Sequence, residues 1–106
     1  MAERFRVEIA PAQSVTAIEY RAAAPDRAGV TLILGHGAGA GQTSAFIVEF
    51  AAALTARGID VITFNFLYAE HGGSVPDPNA RLEACFHTVI EAVRRRNSAT
   101  LAIGGK

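Results

Sequence analysis

Apolar and polar residues alternate at the start of the chain. Phe5, Val7 and Ile9 are apolar and have charged residues between them, a period of two that is typical of a half-buried strand. The pattern breaks over 11–14 and resumes more loosely over 15–20, which predicts a second strand. Two short strands joined by a tight connection indicate an antiparallel hairpin.

Three later runs have the length of strands. The run 30–34 follows a turn-forming cluster at 24–29 and is continuous and rich in β-branched residues. Such a run suits a strand covered on both faces, as in a parallel sheet. Further strands are predicted over 61–66 and over 100–103, and the last one reaches the two glycines and the lysine at 104–106.

Between these strands the spacing of apolar residues changes to that of a helix. A first helix is predicted over 44–57, with Thr43 or Ser44 as its cap and Gly58 at its end. An amphipathic helix buries one apolar stripe against the core. The stripe predicted here consists of Phe46, Ile47, Phe50, Ala51 and Leu54.

A loop over 67–79 and a second helix over 78–96 are predicted after the fourth strand. Asp77 as a cap and Pro78 in the first turn indicate where this helix begins. The arginines at 94–96 fall at its end, where cations complement the helix dipole and solvent surrounds them. The predicted buried stripe contains Leu82, Phe86, Val89, Ile90 and Val93.

The elements therefore occur in the order β-β-β-α-β-α-β. This order predicts an α/β fold with a mostly parallel sheet, helices on both faces and the antiparallel hairpin at one edge. The chain has 106 residues, of which 50% are apolar and 19% charged. That length suits one domain or part of one, and the composition argues against a disordered chain.

Charge and hydropathy exclude two classes of partner. Lys+Arg and Asp+Glu balance at ten each, so the chain lacks the cationic excess of a nucleic-acid-binding protein. No apolar stretch approaches the roughly 18 residues that a membrane helix requires. Cys85 is the only cysteine, so no intrachain disulfide can form, and without an apolar signal segment a cytoplasmic location is expected.

A glycine-rich segment at 35–41 follows the third strand, with glycine at every second position. Alignment with a phosphate-binding P-loop puts Gln42 where that loop has lysine and His36 where it has its first glycine. The dinucleotide-binding fingerprint needs a final x-x-G step that this spacing lacks. The next strand also ends in 65–66 without an acidic residue for a ribose, since Asp60 lies at its beginning.

A third use of such a turn is the oxyanion loop of an α/β-hydrolase, a His-Gly-x-Gly-like segment between the third strand and the first helix. Negative charge develops on the carbonyl oxygen during acyl transfer, and each preorganised backbone N–H stabilises it by roughly 3–4 kcal/mol. His36, Gly37, Ala38 and Gly39 match this pattern and are the predicted site. Nucleotide binding, and a loop rich in glycine only for packing, stay open as alternatives.

Three segments in order carry a resemblance to a known family. They are L-G-H-G-A-G at 34–39, F-N-F-L-Y at 64–68 and G-G-K at 104–106. From about Thr31 to its end, the chain resembles the dienelactone-hydrolase-like α/β-hydrolases, in particular the branch related to testis-expressed protein thirty and NSL-complex subunit three. Leu67 stands where that branch has proline.

This resemblance implies the N-terminal half of a serine hydrolase that cleaves an ester or similar acyl bond of a small molecule, with no metal or cofactor. The nucleophile would follow Lys106, and the triad's acid and histidine come later in this fold. Residues 1–106 are therefore expected to be a partial domain with an oxyanion loop, no catalytic residue and no turnover. The Ala38 N–H is the expected first donor and the Gly39 N–H the next. A non-catalytic interaction module is the alternative, because the branch includes chromatin-complex subunits.

Other reactive side chains have simpler explanations. Cys85 lies within the second predicted helix, not on a strand-to-helix turn, and is interpreted as a buried structural thiol. His87 is expected to be partly exposed and His71 to be solvated, and the three residues lack the spacing of a zinc site. His36 is expected to hold the glycine loop through hydrogen bonds rather than to act as a base.

Overall fold

A mixed sheet of five strands is the framework of the computed structural model, which describes residues 2–23, 25 and 27–105. The strands are β1 (Ala2–Ala10), β2 (Gln13–Tyr20), β3 (Val30–Gly35), β4 (Asp60–Phe64) and β5 (Thr100–Gly105). The helices are α1 (Ala45–Thr55), α2 (Leu67–Glu70) and α3 (Asn79–Arg96). Lys106 and part of the predicted turn at 24–29 lie outside the described residues. Within the described ranges, no helix has the length and apolar character to cross a membrane.

The strand order within the sheet is β1-β2-β4-β3-β5. β1 and β2 form an antiparallel hairpin, and β2 also pairs antiparallel with β4. β3 lies parallel to β4 on one side and to β5 on the other. All five residues of β4 are buried, which explains why its sequence is a nearly continuous apolar run. The predicted α/β fold with a leading antiparallel hairpin is confirmed.

Alternation of side chains along the central strands builds a core on each face of the sheet. One core joins Ile33, Ile62 and Phe64 of the sheet to Cys85, Val89 and Val93 of α3. The other joins Leu34 and Val61 to Ile47 and Ala51 of α1. A fully buried aliphatic or aromatic side chain contributes roughly 1.5–3 kcal/mol. Helices are therefore held on both faces of the sheet, as predicted.

The predicted stripe of α1 is wrong at two positions. Phe46 and Phe50 are 46% and 39% exposed, and their rings stack with centroids 5.7 Å apart. Ile47 and Ala51 are the residues of α1 that are buried. The phenylalanines each precede one of them and so lie about 100° around the helix. The apolar face of α1 is wider than the sheet surface that it covers.

The segment after β4 also differs from the prediction. β4 begins at Asp60 and ends at Phe64, not at residue 66, and the predicted loop contains a single helical turn, α2. Leu67 and Tyr68 are buried in this turn and belong to the core on the α3 face. Burial of Leu67 and Tyr68 holds the chain against the sheet, where the sequence had predicted only a loop.

Helix ends match the sequence signals only in part. Asp77 is not the cap of α3, because Pro78 occupies the N-cap position and the Asp77 carboxylate lies 3.8 Å from Arg81. Ser44 precedes α1 but makes no capping hydrogen bond through its side chain. Gly58, with a φ of +88°, follows α1 as predicted, since glycine adopts this conformation without strain.

The last arginine of α3, Arg96, contacts the hairpin. The guanidinium of Arg96 lies 3.8 Å from the ring centroid of Phe5. It also pairs with Glu3 at 3.1 Å and with the buried Glu19 at 3.3 Å. This arginine is exposed, as expected of a solvated helix end, but it also holds the end of α3 against the hairpin.

Candidate active site

The carboxyl ends of the parallel strands meet at one edge of the sheet, where the glycine-rich loop begins. Gly35, at the end of β3, is paired with Gly105, at the end of β5. β4 ends beside β3, with Thr63 paired to Leu34. Ligands of open α/β sheets bind at this position, outside the carboxyl ends of the strands. The topology therefore puts the loop where a site is expected.

His36 is buried, with 5% of its surface exposed, and both of its ring nitrogens are hydrogen-bonded. The Phe66 amide donates to Nε2 at 3.1 Å. Because an amide can only donate, Nε2 carries no proton, so Nδ1 carries it and donates to the Gly37 carbonyl at 2.9 Å. Burial lowers the pKa of His36, and the hydrogen bond with Gly37 offsets this only in part. His36 is a neutral group that holds the loop, and it has no free lone pair with which to act as a base.

The hydrogen bond from His36 orients the Gly37–Ala38 peptide. In a trans peptide the carbonyl and the following N–H point in opposite directions, so the Ala38 N–H is turned away from His36. Neither the Ala38 amide nor the Gly39 amide has an acceptor among the residues that the structure describes. Both residues are exposed, so a ligand can approach this part of the loop.

A cleft of about 360 Å³ opens beside the loop. Its wall includes three residues with small side chains or none and three aromatic residues: Gly37, Ala38, Gly105, Phe66, Tyr68 and Phe86. A Cβ on Gly35 would lie 3.2 Å from the Phe86 ring, so glycine lets the end of β3 approach this ring. Polar donors beside a mostly apolar wall are the combination found in small-molecule sites.

Gln42 lies where the loop leaves the site, and only 1% of its surface is exposed. Its backbone N–H donates to Asn65 Oδ1 at 3.0 Å. Its side chain bridges two strands, because Nε2 donates to the Thr16 carbonyl at 2.8 Å and Oε1 accepts from the Thr63 hydroxyl at 2.7 Å. From the sequence, Gln42 was notable only because a P-loop has lysine at this position. Its neighbours gave no indication that its side chain is buried.

Glu70 of α2 completes this polar network. Its carboxylate accepts from the Thr16 amide and hydroxyl, both at 2.9 Å, from Asn65 Nδ2 at 3.1 Å and from Arg6 at 2.8 Å. Burial by itself raises the pKa of Glu70, but these hydrogen bonds together outweigh it and leave the pKa below its ordinary value. Sequence reasoning missed the network, and its one signal was Asn65, a polar residue within the strand predicted over 61–66.

Comparison with known proteins identifies the family. A family model described as an alpha/beta hydrolase domain matches residues 28–106. The chain belongs to the α/β-hydrolase family. A comparison of the chain with curated proteins found no match.

Solved structures of serine hydrolases share the fold of this chain. A lidless α/β serine hydrolase from Xanthomonas campestris is 23% identical, with a TM-score of 0.82 over 98% of this chain and 50% of that one. A homologue from Coxiella burnetii is 20% identical, with a TM-score of 0.81 over 97% and 50%. Brefeldin A esterase, a bacterial homologue of human hormone-sensitive lipase, is 20% identical, with a TM-score of 0.74 over 99% and 31%. The chain thus spans about half the length of the first two structures and a smaller part of the third.

The cysteine and the two other histidines of the chain do not line the cleft. Cys85 is buried in α3, and burial raises the pKa of its thiol to about 11, so it is a structural residue, as predicted. His71 and His87 are exposed. The described part of the chain contains no group of three side chains that could hold a metal ion.

Proposed function

We propose that the protein containing this chain is a serine hydrolase of esters or related acyl compounds, and that residues 36–39 form its oxyanion loop. The main support is the Gly37–Ala38 peptide, because His36 binds its carbonyl and its N–H, beside the cleft, has no acceptor among residues 2–23, 25 and 27–105. Donors that are already in place stabilise the charge on a reacting carbonyl oxygen without reorganisation. Ala38 supplies the first donor and Gly39 the next.

The nucleophile is proposed to follow β5. Gly105 ends this strand directly beside Gly35, so a serine on the turn after β5 lies near the Ala38 amide. In this fold the N–H of the residue after the nucleophile completes the oxyanion hole. Residues 1–106 contain no G-x-S-x-G segment, so we propose that they have no turnover by themselves.

Two other uses of a glycine-rich loop have less support. A P-loop requires a lysine that reaches phosphates, and the Gln42 side chain at that position is buried and bonded to Thr16 and Thr63. A dinucleotide site requires an acidic side chain that is free to bind a ribose at the end of the next strand. Asn65 occupies that place and is already bonded to Gln42 and Glu70.

Within the family, we propose the dienelactone-hydrolase-like branch related to testis-expressed protein thirty and NSL-complex subunit three. The support is the resemblance of the segments at 34–39, 64–68 and 104–106. Similar structures include proteins named as esterases, which supports an ester of a small molecule as the substrate class.

The test is to express the complete reading frame that contains residues 1–106 and to assay it with a fluorophosphonate label and short p-nitrophenyl esters. We expect one labelled serine shortly after Lys106, and ester hydrolysis that is lost when this serine is replaced by alanine. Residues 1–106 expressed alone are the control and should give neither signal. A complete protein with neither label nor hydrolysis contradicts the proposal and favours a non-catalytic interaction module. Turnover by residues 1–106 that survives Cys85→Ala contradicts the inactivity of this part.

A further inference from the structure

We propose that Gln42, Asn65 and Glu70 are positioning residues that hold the oxyanion loop from its exit side. The inference rests on the proposed function, because it concerns how the Ala38 amide keeps its direction toward a substrate. The described residues that line the cleft do not include any of the three. They act through the backbone of the loop.

The loop leaves the site against the side-chain amide of Asn65. The Gln42 N–H donates to Asn65 Oδ1 at 3.0 Å, and a Cβ on Gly41 would lie 2.9 Å from the same oxygen. Real Cβ atoms essentially never approach another heavy atom this closely, so a larger residue at 41 would displace the Asn65 side chain from its hydrogen bonds with Gln42 and Glu70. The backbone at 41–42 therefore packs closely against one atom, Oδ1 of Asn65.

Glu70 decides which end of the Asn65 amide faces the loop. A carboxylate only accepts hydrogen bonds, so the NH2 group of Asn65 faces Glu70, at 3.1 Å, and the amide oxygen is left for Gln42. Thr16 holds the carboxylate in turn through its N–H and its hydroxyl. A charged group on α2 thus orients the Asn65 amide so that its oxygen can accept from the Gln42 N–H.

The entrance and the exit of the loop are held separately. His36 holds the entrance through the Gly37 carbonyl, and Asn65 holds the exit through the Gln42 amide. The Ala38 amide lies between these two attachments and has no acceptor within the described part of the chain. The Ala38 amide cannot turn without breaking the hydrogen bond between His36 and the Gly37 carbonyl, and the attachment at Gln42 limits how far the loop can shift, so the network preorganises the donor.

A double-mutant cycle at Asn65 and Glu70 in the complete protein tests this role. Asn65→Asp sets one carboxylate against another, and we expect kcat for p-nitrophenyl butyrate to fall about tenfold with KM within about twofold, since small displacements of catalytic groups are costly. Glu70→Gln alone keeps an oxygen for Asn65 and should change kcat less than about threefold. In the double variant the new amide can donate to the new carboxylate, but the Thr16 N–H then loses the oxygen that it shares with Asn65, so kcat should recover in part, to within about fivefold of the wild type.

Hydrogen exchange of the loop amides supplies a readout that needs no turnover. We expect Asn65→Asp to speed the exchange of the Gln42 amide about tenfold, because the local opening that exposes it becomes easier. An inactive complete protein that still shows this change contradicts the proposed function but not the network. Unchanged exchange in Asn65→Asp overturns the network in an active or an inactive protein.

Asp60→Asn is the matched control, because Asp60 is a buried acidic side chain at the other end of β4, about 15 Å away along the strand. We expect its melting temperature to fall while kcat and the exchange of the loop amides stay within about twofold of the wild type. A merely structural role for Asn65 predicts the same behaviour in Asn65→Asp. That result, or losses in the double variant that simply add, would overturn the proposal.

Discussion

The two ends of strand β4 both carry buried or half-buried polar side chains, and these are used differently. At the amino end, Asp60 is 4% exposed, accepts from the Ala22 amide at 2.7 Å and pairs with Arg27. It fastens the connection between β2 and β3. Just past the carboxyl end, Asn65 bonds both Glu70 and the loop that follows β3.

The two ends differ in the part of the chain that their hydrogen bonds hold. The hydrogen bonds of Asp60 end on a connection far from the cleft, whereas those of Asn65 end on a loop whose Ala38 and Gly39 amides find no acceptor in the described ranges. Water satisfies exposed amides at little cost, and a ligand can replace that water. A buried polar network therefore indicates a functional site only where it holds free donors beside a cleft.

Removal of Glu70 should give the largest loss of stability among changes that test this comparison. Glu70→Ala leaves the Thr16 amide and Asn65 without their acceptor, and hydrogen bonds to charged groups contribute about 1.5–3 kcal/mol. We expect the free energy of unfolding in urea to fall by about 2–3 kcal/mol. Glu91→Ala, at an exposed carboxylate paired with Arg94, should cost less than about 0.5 kcal/mol. Equal losses in the two variants would show that the network adds nothing.

A methyl group at the loop exit should have the next largest effect. Gly41→Ala puts a Cβ 2.9 Å from Asn65 Oδ1, and relief of such overpacking costs about 1–2 kcal/mol. Gly104→Ala is the control, because its Cβ would lie 3.6 Å from Leu32 Cδ1, an ordinary contact. Urea unfolding of both variants is the measurement, and a Gly41→Ala variant as stable as Gly104→Ala would contradict the close fit.

Acidification should loosen the entrance of the loop. The pKa of His36 lies below its ordinary value of 6.5, so the unfolded chain binds this proton at higher pH than the folded chain does. His36 therefore contributes its full stability above about pH 6.5 and loses it as the pH falls through the folded pKa. Urea unfolding between pH 7.5 and 5 should show a steeper loss for the wild type than for His36→Asn. Parallel curves would contradict a neutral, bonded imidazole.

The smallest effect is expected at the start of α1. An N-cap serine normally contributes about 1 kcal/mol, but the Ser44 side chain makes no capping hydrogen bond. Ser44→Ala should therefore lower the free energy of unfolding by less than about 0.5 kcal/mol. A larger loss would mean that the cap, and not Gln42, holds the chain between the loop and α1.

The fold could be predicted because its signals are local. Alternation at Phe5, Val7 and Ile9 predicts β1, and the apolar run that contains Phe64 predicts β4. Periodicity reports that one side of an element is buried, but it does not report how much surface the neighbour covers. For that reason the exposure of Phe50 on α1 was missed.

The hydrogen-bond network that supports the candidate site could not be predicted, because the residues that bond to each other are far apart in sequence. Gln42 bonds a carbonyl 26 residues earlier, and Glu70 bonds an amide 54 residues earlier, both in Thr16. No spacing rule links such residues, since the sheet topology alone brings them together. The loop itself could be recognised in the sequence, because a tight turn favours glycine and the glycines lie within the turn.

The most direct test of the account is a structure of the complete protein with a phosphonate bound to its nucleophilic serine. The account predicts that the phosphonyl oxygen accepts a hydrogen bond from the Ala38 N–H at about 2.7–3.1 Å, with the Gly37 carbonyl still bonded to His36. A phosphonyl oxygen held by other donors, with the Ala38 N–H turned away from it, would contradict the assignment of residues 36–39 as the oxyanion loop.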